Sequence, residues 1–164
     1  MKRTKDEVIG VVFSKLRPKS EDVFADIGCG SCAVSNFFAD YVSKVYAVDI
    51  DESVRGCDVK DNVEILIMHG LEFLREYDYD LVFFGGTKDI EKMLEVAVEK
   101  ARRVVVNLAR MEMACKVMEK LKELEAFEEI LIVGVAKGYE LSGMTAFKPL
   151  NPVFIVVGSG RGKG

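Results

Sequence analysis

The sequence predicts a single α/β domain built on a largely parallel sheet, and three observations favour this fold class. Apolar runs of strand length alternate with stretches in which apolar residues recur at helical spacing. The first run, 23–27, ends in a glycine-rich turn at 28–32, and the second run ends in Asp49. A glycine turn followed by an acid about 20 residues later is typical of βαβ units that bind a nucleotide-like ligand.

The first half of the chain gives one complete βαβ unit and two further strands. Thr4 and Glu7 have the spacing of a capping box, which predicts a helix from there to about Leu16. Residues 51–62 are polar and too few for a full helix, so they interrupt the pattern. Strands are predicted at 23–27, 45–48, 63–68 and 80–84, with a helix after the first and a short one at 71–75.

The second half changes character towards its end. Two apolar runs, 130–136 and 152–157, follow one another without a helix between them, which predicts strands that pair antiparallel or lie apart. The connection at 137–151 is long for a hairpin loop and is a candidate lid or interface element. We expect a frayed tail at 161–164, so that the domain spans 1–160. Earlier in this half, the pattern predicts a helix at 90–101, a strand at 104–108 and a second helix at 113–124.

Composition and charge limit the function classes. The 164 residues are 49% hydrophobic and 30% charged with a net charge of −4, which lacks the basic excess that nucleic-acid backbones attract. The apolar segment near the N-terminus is short and followed by Lys15, so no signal peptide is expected, and no run is long enough to span a membrane. The four cysteines follow no secreted framework, which indicates a reducing cytoplasm.

The class of ligand is suggested by Asp26, two residues before Gly28. Gly28, Gly30 and Ala33 loosely fit a dinucleotide fingerprint, but a carboxylate at the strand end would repel a pyrophosphate. S-adenosylmethionine has no phosphate and brings an ammonium and a sulfonium, while Asp49 can accept both ribose hydroxyls. These residues favour a methyltransferase site, and the alternative is that Asp26 only caps a backbone turn.

Cysteine and histidine side chains near the turn leave further alternatives. Cys29 and Cys32 form a C-x-x-C pair, but no second pair accompanies it and His69 is the one histidine of the chain. We therefore predict no metal site, and we interpret these cysteines, with Cys57 and Cys115, as small structural residues. His69 follows the third strand on the adenine side, where it either contacts the base or has no role.

Six short motifs, spread over nearly the whole chain, occur together in one known enzyme family. They are Thr4-Lys-Asp-Glu7, Ser14-Lys-Leu-Arg17, Asp26-Ile-Gly-Cys-Gly30, Tyr46-Ala-Val-Asp49, Val82-Phe-Phe-Gly-Gly86 and Asn151-Pro-Val153. The chain resembles the precorrin methyltransferases of cobalamin biosynthesis that also act as decarboxylases. The resemblance implies a Rossmann-like class I methyltransferase fold, a seven-stranded mostly parallel sheet with an antiparallel C-terminal strand and helices on both faces.

The same resemblance implies an activity, a cofactor and an assembly. Members use S-adenosylmethionine to methylate carbon 15 of cobalt-precorrin-6B, remove carbon dioxide from the ring C acetate, and form homotetramers. No residue stands out as a catalytic acid or base. The cofactor is expected at Thr4, Asp26, Gly28, Gly30, Asp49, Ile50, His69, Gly70, Gly85 and Gly86. The tetrapyrrole is expected at Asn107 and at three cations for its carboxylates, Arg110, Lys137 and Lys148.

Three departures from the family pattern keep other functions open. Cys32 stands where the turn usually has its third glycine, the segment after Asp49 is shorter than the family's helix, and His69 replaces an aspartate that contacts the adenine amine. The alternatives are a methyltransferase with another substrate and a non-catalytic subunit with a decayed cofactor site. A nicotinamide oxidoreductase is a third, against which Asp26 argues.

Overall fold

A seven-stranded sheet lies at the centre of the molecule, in a computed structural model that describes residues 3–162. Its strand order is β3-β2-β1-β4-β5-β9-β6, and β9 runs antiparallel to both of its neighbours. The other pairings, β2 with β3 and β1, and β4 with β1 and β5, are parallel. The sheet strands are β1 (Val23–Ile27), β2 (Lys44–Asp49), β3 (Val63–Ile67), β4 (Leu81–Phe84), β5 (Arg103–Leu108), β6 (Phe127–Val133) and β9 (Val153–Ser159). This topology confirms the predicted fold class.

Helices cover both faces of the sheet because alternate strand side chains point to opposite sides. In β1, Ala25 and Ile27 belong to one buried apolar cluster, and Phe24 belongs to the other. The helices are α1 (Asp6–Leu16), α2 (Ala33–Ala39), α3 (Gly70–Glu76), α4 (Ile90–Lys100) and α5 (Met111–Glu123). The first cluster packs against α3, α4 and α5, and the second against α1 and α2.

The predicted capping box at the start of α1 is wrong. Lys5, in extended conformation, occupies the N-cap position, and no side chain caps the helix there. Thr4 therefore lies one residue too early to bond the first free amides. Glu7 pairs instead with Lys137 of the distant hairpin at 3.3 Å.

The connection at 137–151, expected as one long loop, is a regular two-stranded hairpin. Its strands are β7 (Ala136–Leu141) and β8 (Met144–Pro149), and the predicted run 130–136 is divided between β6 and β7. Ser142 and Gly143 form the turn with φ of 50° and 76°. Two successive positive φ values suit the tight turns that match strand twist, so a polar residue and a glycine are sufficient to close this hairpin.

Two short segments remain to be described: residues 51–62 and residues 161–162. Residues 51–62 contain only a 3₁₀ turn, Glu52–Gly56, as their polar composition predicts. Arg161 and Gly162, expected in a frayed tail, instead donate backbone hydrogen bonds to Val98 and Ala101 at 2.7 and 2.9 Å. A Cβ added to Gly162 would lie 2.2 Å from a backbone oxygen, so this glycine permits close packing on the end of α4. Residues 163–164 of the expected tail lie outside the described part of the chain.

Candidate functional site

The glycine turn after β1 packs directly on the turn after β4. The amides of Gly28 and Cys29 donate to the carbonyl of Val48, which ties the turn to β2 as well. Gly28 has a φ of +77°, and a Cβ there would lie 3.0 Å from the amide nitrogen of Gly86. Glycine is required because both its conformation and its neighbour exclude a side chain. The carboxyl ends of β1, β2 and β4 thus converge, as in other doubly wound sheets that bind ligands.

Asp49, at the end of β2, is oriented by two backbone amides. Its Oδ2 accepts from Gly30 and its Oδ1 accepts from Asp51, both at 3.0 Å. A carboxylate oxygen has two lone pairs, so each oxygen can still accept one ligand hydroxyl. The pair of hydroxyls on a ribose matches this arrangement.

A cavity of about 190 Å³ opens beside Asp49, and we call it the Asp49 cleft. The wall also contains two apolar and two polar residues that were not predicted from the sequence: Met68, Met93, Thr87 and Lys88. The glycine spacing drew attention to the turn, whereas nothing in the chain marked these four residues. Six predicted cofactor residues line the cleft: Gly28, Asp49, Ile50, His69, Gly70 and Gly86.

Both ring nitrogens of His69 contact polar atoms of neighbouring residues. Its Nδ1 accepts from the Leu71 amide at 3.2 Å, so the ring caps α3. Its Nε2 lies 3.3 Å from a carboxylate oxygen of Asp89. The side chain lines the Asp49 cleft. It therefore presents the face of its ring to a bound nucleobase, and no free ring nitrogen.

Asp26 lies beneath the glycine turn rather than in the wall of a cavity. Its side chain is almost fully buried, at 1% exposed, and its Oδ2 accepts from the Ser35 hydroxyl at 2.6 Å. Burial raises the pKa of Asp26 to about 7; the Ser35 hydrogen bonds oppose this and the nearby Asp49 adds to it. The geometry fits the alternative in which this carboxyl holds the turn and the start of α2 together. Gly30, which also lies outside the Asp49 cleft, contributes its amide to Asp49.

A larger cavity, of about 420 Å³, adjoins the first, and we call it the N-terminal cleft. Thr4 and Gly85, which were predicted to bind cofactor, lie in its wall together with Asn107 at the end of β5. Gly85 lines this cleft and Gly86 lines the Asp49 cleft, so the two cavities meet at this glycine pair. The segment 151–153, at the start of β9, also lines this cleft.

Asn107 carries an unpaired buried atom. Among the side chains that the structure describes, its Oδ1 is buried and has no hydrogen-bond partner. Buried polar atoms are almost always paired in folded proteins. An atom in this state, on a residue that lines a cavity, is suited to accept a hydrogen bond from a ligand.

The positive charges of the N-terminal cleft come from its N-terminal segment. Arg3 and Lys5 line it, whereas Arg110, Lys137 and Lys148 are absent from its wall. Lys5 Nζ donates to the carbonyl of Asn151 at 2.9 Å, which joins the segment to the loop before β9. The basic character of the first residues was visible in the sequence, but nothing indicated that they cover the strand ends. Lys137 and Lys148 face each other across the hairpin, and Arg110 is the N-cap residue of α5.

Two negative findings concern the described residues, 3–162. Within this range no group of three or more His, Cys, Asp or Glu side chains could hold a metal ion. No helix in the same range has the length and apolarity needed to cross a membrane.

Comparison with known proteins agrees with this geometry. A family model described as the precorrin methyltransferase domain matches residues 2–158. The chain belongs to the precorrin methyltransferase family. Over 160 residues it is 58% identical to a probable cobalt-precorrin-6B C(15)-methyltransferase (decarboxylating) from Archaeoglobus fulgidus, covering 96% of this chain and 97% of the relative.

Two solved structures of similar proteins share the fold over nearly their whole length. One is a precorrin 8W decarboxylase from Methanobacterium thermoautotrophicum, with a TM-score of 0.88 and 26% identity, covering 97% of this chain and 92% of that one. The other is a precorrin-6y C5,15-methyltransferase from Geobacter metallireducens, with a TM-score of 0.88 and 27% identity, covering 96% and 90%. This family membership confirms the resemblance that the six motifs indicated.

Proposed function

We propose that the protein is an S-adenosylmethionine-dependent methyltransferase of cobalamin biosynthesis. It methylates carbon 15 of cobalt-precorrin-6B and removes carbon dioxide from the ring C acetate, with residues 1–160 acting as one catalytic domain. The strongest support from the structure is the junction of two clefts at Gly85 and Gly86. The strongest support from comparison is 58% identity to a relative that carries this activity in its name.

The Asp49 cleft fits the nucleoside part of the cofactor. The two oriented carboxylate oxygens of Asp49 match the ribose diol, and the apolar wall beside Ile50 and Met68 suits a purine. Gly28 and Gly86 place no side chain at the junction, which leaves room for the methionine part of the cofactor. His69 and Gly70 complete the wall on the β3 side.

The N-terminal cleft fits part of a large polycarboxylate acceptor. Arg3 and Lys5 supply positive charge at its wall, and carboxylates pair favourably with such groups. Thr4 and Asn107 add polar atoms to the same wall. We also propose that three cationic side chains outside this wall bind carboxylates at the edge of the tetrapyrrole: Arg110, Lys137 and Lys148.

The chain's contribution to methyl transfer is positioning. When bound, S-adenosylmethionine supplies a methyl group activated by its sulfonium, and the neutral thioether that remains is a good leaving group without an acid or base from the protein. The residues at the cleft junction hold donor and acceptor in two adjoining cavities, and such alignment can supply a large part of a rate enhancement. Asn107 Oδ1, buried and unpaired, is placed to accept a hydrogen bond from a bound ligand. No residue is assigned to the decarboxylation step.

Calorimetric titration of the reduced protein with S-adenosylmethionine and with NAD tests the cofactor. We expect binding of the first and not the second, and loss of binding in Asp49→Ala. Binding of NAD alone would overturn the cofactor assignment, and binding of neither at millimolar concentration would favour a non-catalytic subunit.

Incubation with cobalt-precorrin-6B and S-adenosylmethionine labelled in its methyl group tests the substrate. We expect label in the tetrapyrrole and release of carbon dioxide. Cofactor binding without transfer to this acceptor would point to a methyltransferase with another substrate.

The assembly and compartment are also part of the proposal. We infer a homotetramer in the cytoplasm, with no nucleic-acid or membrane partner. The hairpin exposes large apolar side chains, among them Met144 at 73% and Phe147 at 67%, and a subunit contact would bury them. Cys29, Cys32, Cys57 and Cys115 are all free thiols, which suits a reducing compartment.

A further inference from the structure

Three thiols lie together beside the Asp49 cleft, and the proposed function uses none of them. Cys29 and Cys32 belong to the glycine turn, and their Sγ atoms are 3.8 Å apart. Cys57 follows the 3₁₀ turn after β2. The Sγ atoms of Cys32 and Cys57 both lie close to the carbonyl of Gly30, at 3.9 and 3.6 Å.

The backbone at Cys32 gives a second observation. Cys32 has φ of 62° and ψ of 18°, a left-handed conformation that glycine adopts without strain and a Cβ makes unfavourable. The residue is fully buried, so its thiol cannot serve as a surface group. The strained conformation places a sulfur atom beside Cys29 Sγ and the Gly30 carbonyl, at a position where the backbone alone would favour glycine.

The three thiols differ in reactivity and access. Interaction with the Cys29 thiol lowers the pKa of Cys32, and the Cys57 thiol adds to this, although burial and the carboxyls of Asp26 and Asp49 act against it. The hydrogen bond to Cys32 and burial raise the pKa of Cys29, and burial raises that of Cys57. Thiolates are the nucleophiles in disulfide exchange, so the lowered pKa suits Cys32 to the second attack, which closes the protein disulfide. Cys57 is the half-buried one that a small solute can reach.

We propose that Cys32 and Cys57 form a reversible disulfide that controls ligand binding in the Asp49 cleft. The oxidant is a low-molecular-weight disulfide such as oxidised glutathione. The Cys57 thiolate attacks one of its sulfurs and expels one glutathione thiolate, and the Cys32 thiolate then attacks Cys57 Sγ and expels the second. The two protein thiols lose two electrons and two protons, and the oxidant becomes two glutathione thiols.

The disulfide would act on the cleft through Asp49. A disulfide requires its sulfurs to be about 2.05 Å apart, so the glycine turn and the segment after β2 must move together. These same segments supply the Gly30 and Asp51 amides that orient the Asp49 carboxylate. We expect the oxidised protein to bind S-adenosylmethionine at least tenfold more weakly; this effect on binding rests on the proposed function, whereas disulfide formation does not.

The test treats the full-length protein with oxidised glutathione and maps its disulfides by mass spectrometry of non-reduced peptides. We expect a peptide that joins Cys32 to Cys57, and its disappearance on treatment with dithiothreitol. Initial formation should accelerate as pH rises, because Cys57 must lose its proton first. A Cys29–Cys32 disulfide, or glutathione retained on Cys57 without the cross-link, would overturn the proposal.

Calorimetric titration with S-adenosylmethionine then measures affinity before oxidation, after oxidation and after reduction. Cys57→Ser and Cys32→Gly should bind like the reduced wild type and be insensitive to oxidation, and the glycine suits the backbone at position 32. Cys115→Ser, at an exposed thiol away from the cleft, is the matched control and should respond like the wild type. A cross-linked protein with unchanged affinity would overturn the switch. Absence of binding to the reduced protein, with the cross-link still formed, would instead overturn the proposed function.

Discussion

The Gly30 amide donates a hydrogen bond to Oδ2 of Asp49 at 3.0 Å, and this contact joins the glycine turn to the end of β2. Asp51 supplies the second amide, so the carboxylate is held in one orientation before any ligand arrives. Preorganisation of this kind reduces the entropy lost on binding.

Asp49→Asn is expected to weaken S-adenosylmethionine binding by about ten- to a hundredfold, the range for hydrogen bonds to a charged group. The amide keeps the size of the side chain but turns one acceptor into a donor that faces backbone N–H groups. Calorimetric titration measures the affinity. Asp61→Asn, at an exposed aspartate in the turn before β3, should bind like the wild type. Equal affinities for the two variants would contradict the role of Asp49.

The double variant Arg3→Met, Lys5→Met is expected to raise the KM for the tetrapyrrole about tenfold, since partly exposed ion pairs contribute up to about 1 kcal/mol each. Cofactor affinity should not change, because neither residue lines the Asp49 cleft. Steady-state kinetics at saturating S-adenosylmethionine give the KM. Lys116→Met, on the exposed face of α5, controls for the loss of positive charge. An unchanged KM would place the substrate carboxylates elsewhere.

Asp26 is expected to make stability depend on pH. Its pKa is raised from 3.8 to about 7, so the folded protein binds this proton more tightly than the unfolded chain. Its contribution to the free energy of unfolding is therefore full below about pH 4 and falls by up to about 1.4 kcal/mol per pH unit as pH rises to about 7. Urea unfolding of the wild type and Asp26→Asn at several pH values measures the difference.

The difference between these two proteins should follow that slope and become constant above about pH 7. Ser35→Ala should move the upper end of the slope to higher pH, because the Ser35 hydrogen bond lowers the pKa of Asp26. A difference that is the same at every pH would show that Asp26 does not titrate in this range.

Gly28→Ala is expected to destabilise the fold by about 1–2 kcal/mol from the left-handed conformation alone. The contact of its new Cβ with the Gly86 amide adds to this and disturbs the junction of the two clefts. Thermal unfolding and S-adenosylmethionine titration measure both effects. Gly134→Ala, where a Cβ meets no atom within 4 Å, should change neither quantity appreciably.

Met144→Ser with Phe147→Ser is expected to dissociate the proposed tetramer. Both side chains are exposed on the hairpin, and their replacement removes apolar area that a subunit contact would bury. Sedimentation velocity of wild type and variant gives the oligomeric state. Met111→Ser, which removes an exposed methionine at the start of α5, should leave the assembly intact. A wild type that sediments as a monomer would end the proposal of a tetramer.

The sequence by itself determined the class of fold and the place of the Asp49 cleft. The runs that became β1 to β5 are short and strongly apolar, and the glycine turn and Asp49 follow them at fixed distances along the chain. Local periodicity and local spacing are sufficient for such features. They also gave the correct expectation for 51–62, where too few residues remain for a helix.

Only the tertiary structure decided which residues meet across the chain. Lys5 contacts Asn151 although 146 positions separate them, and this contact builds the N-terminal cleft from a segment that reads as an ordinary basic start. Asp26 was expected to face the ligand, but the packing of α2 buries it against Ser35. The thiols of Cys32 and Cys57 likewise reach the same Gly30 carbonyl only because the glycine turn and the segment after β2 fold onto the same edge of the sheet. Such contacts depend on how elements pack, which spacing along the chain does not encode.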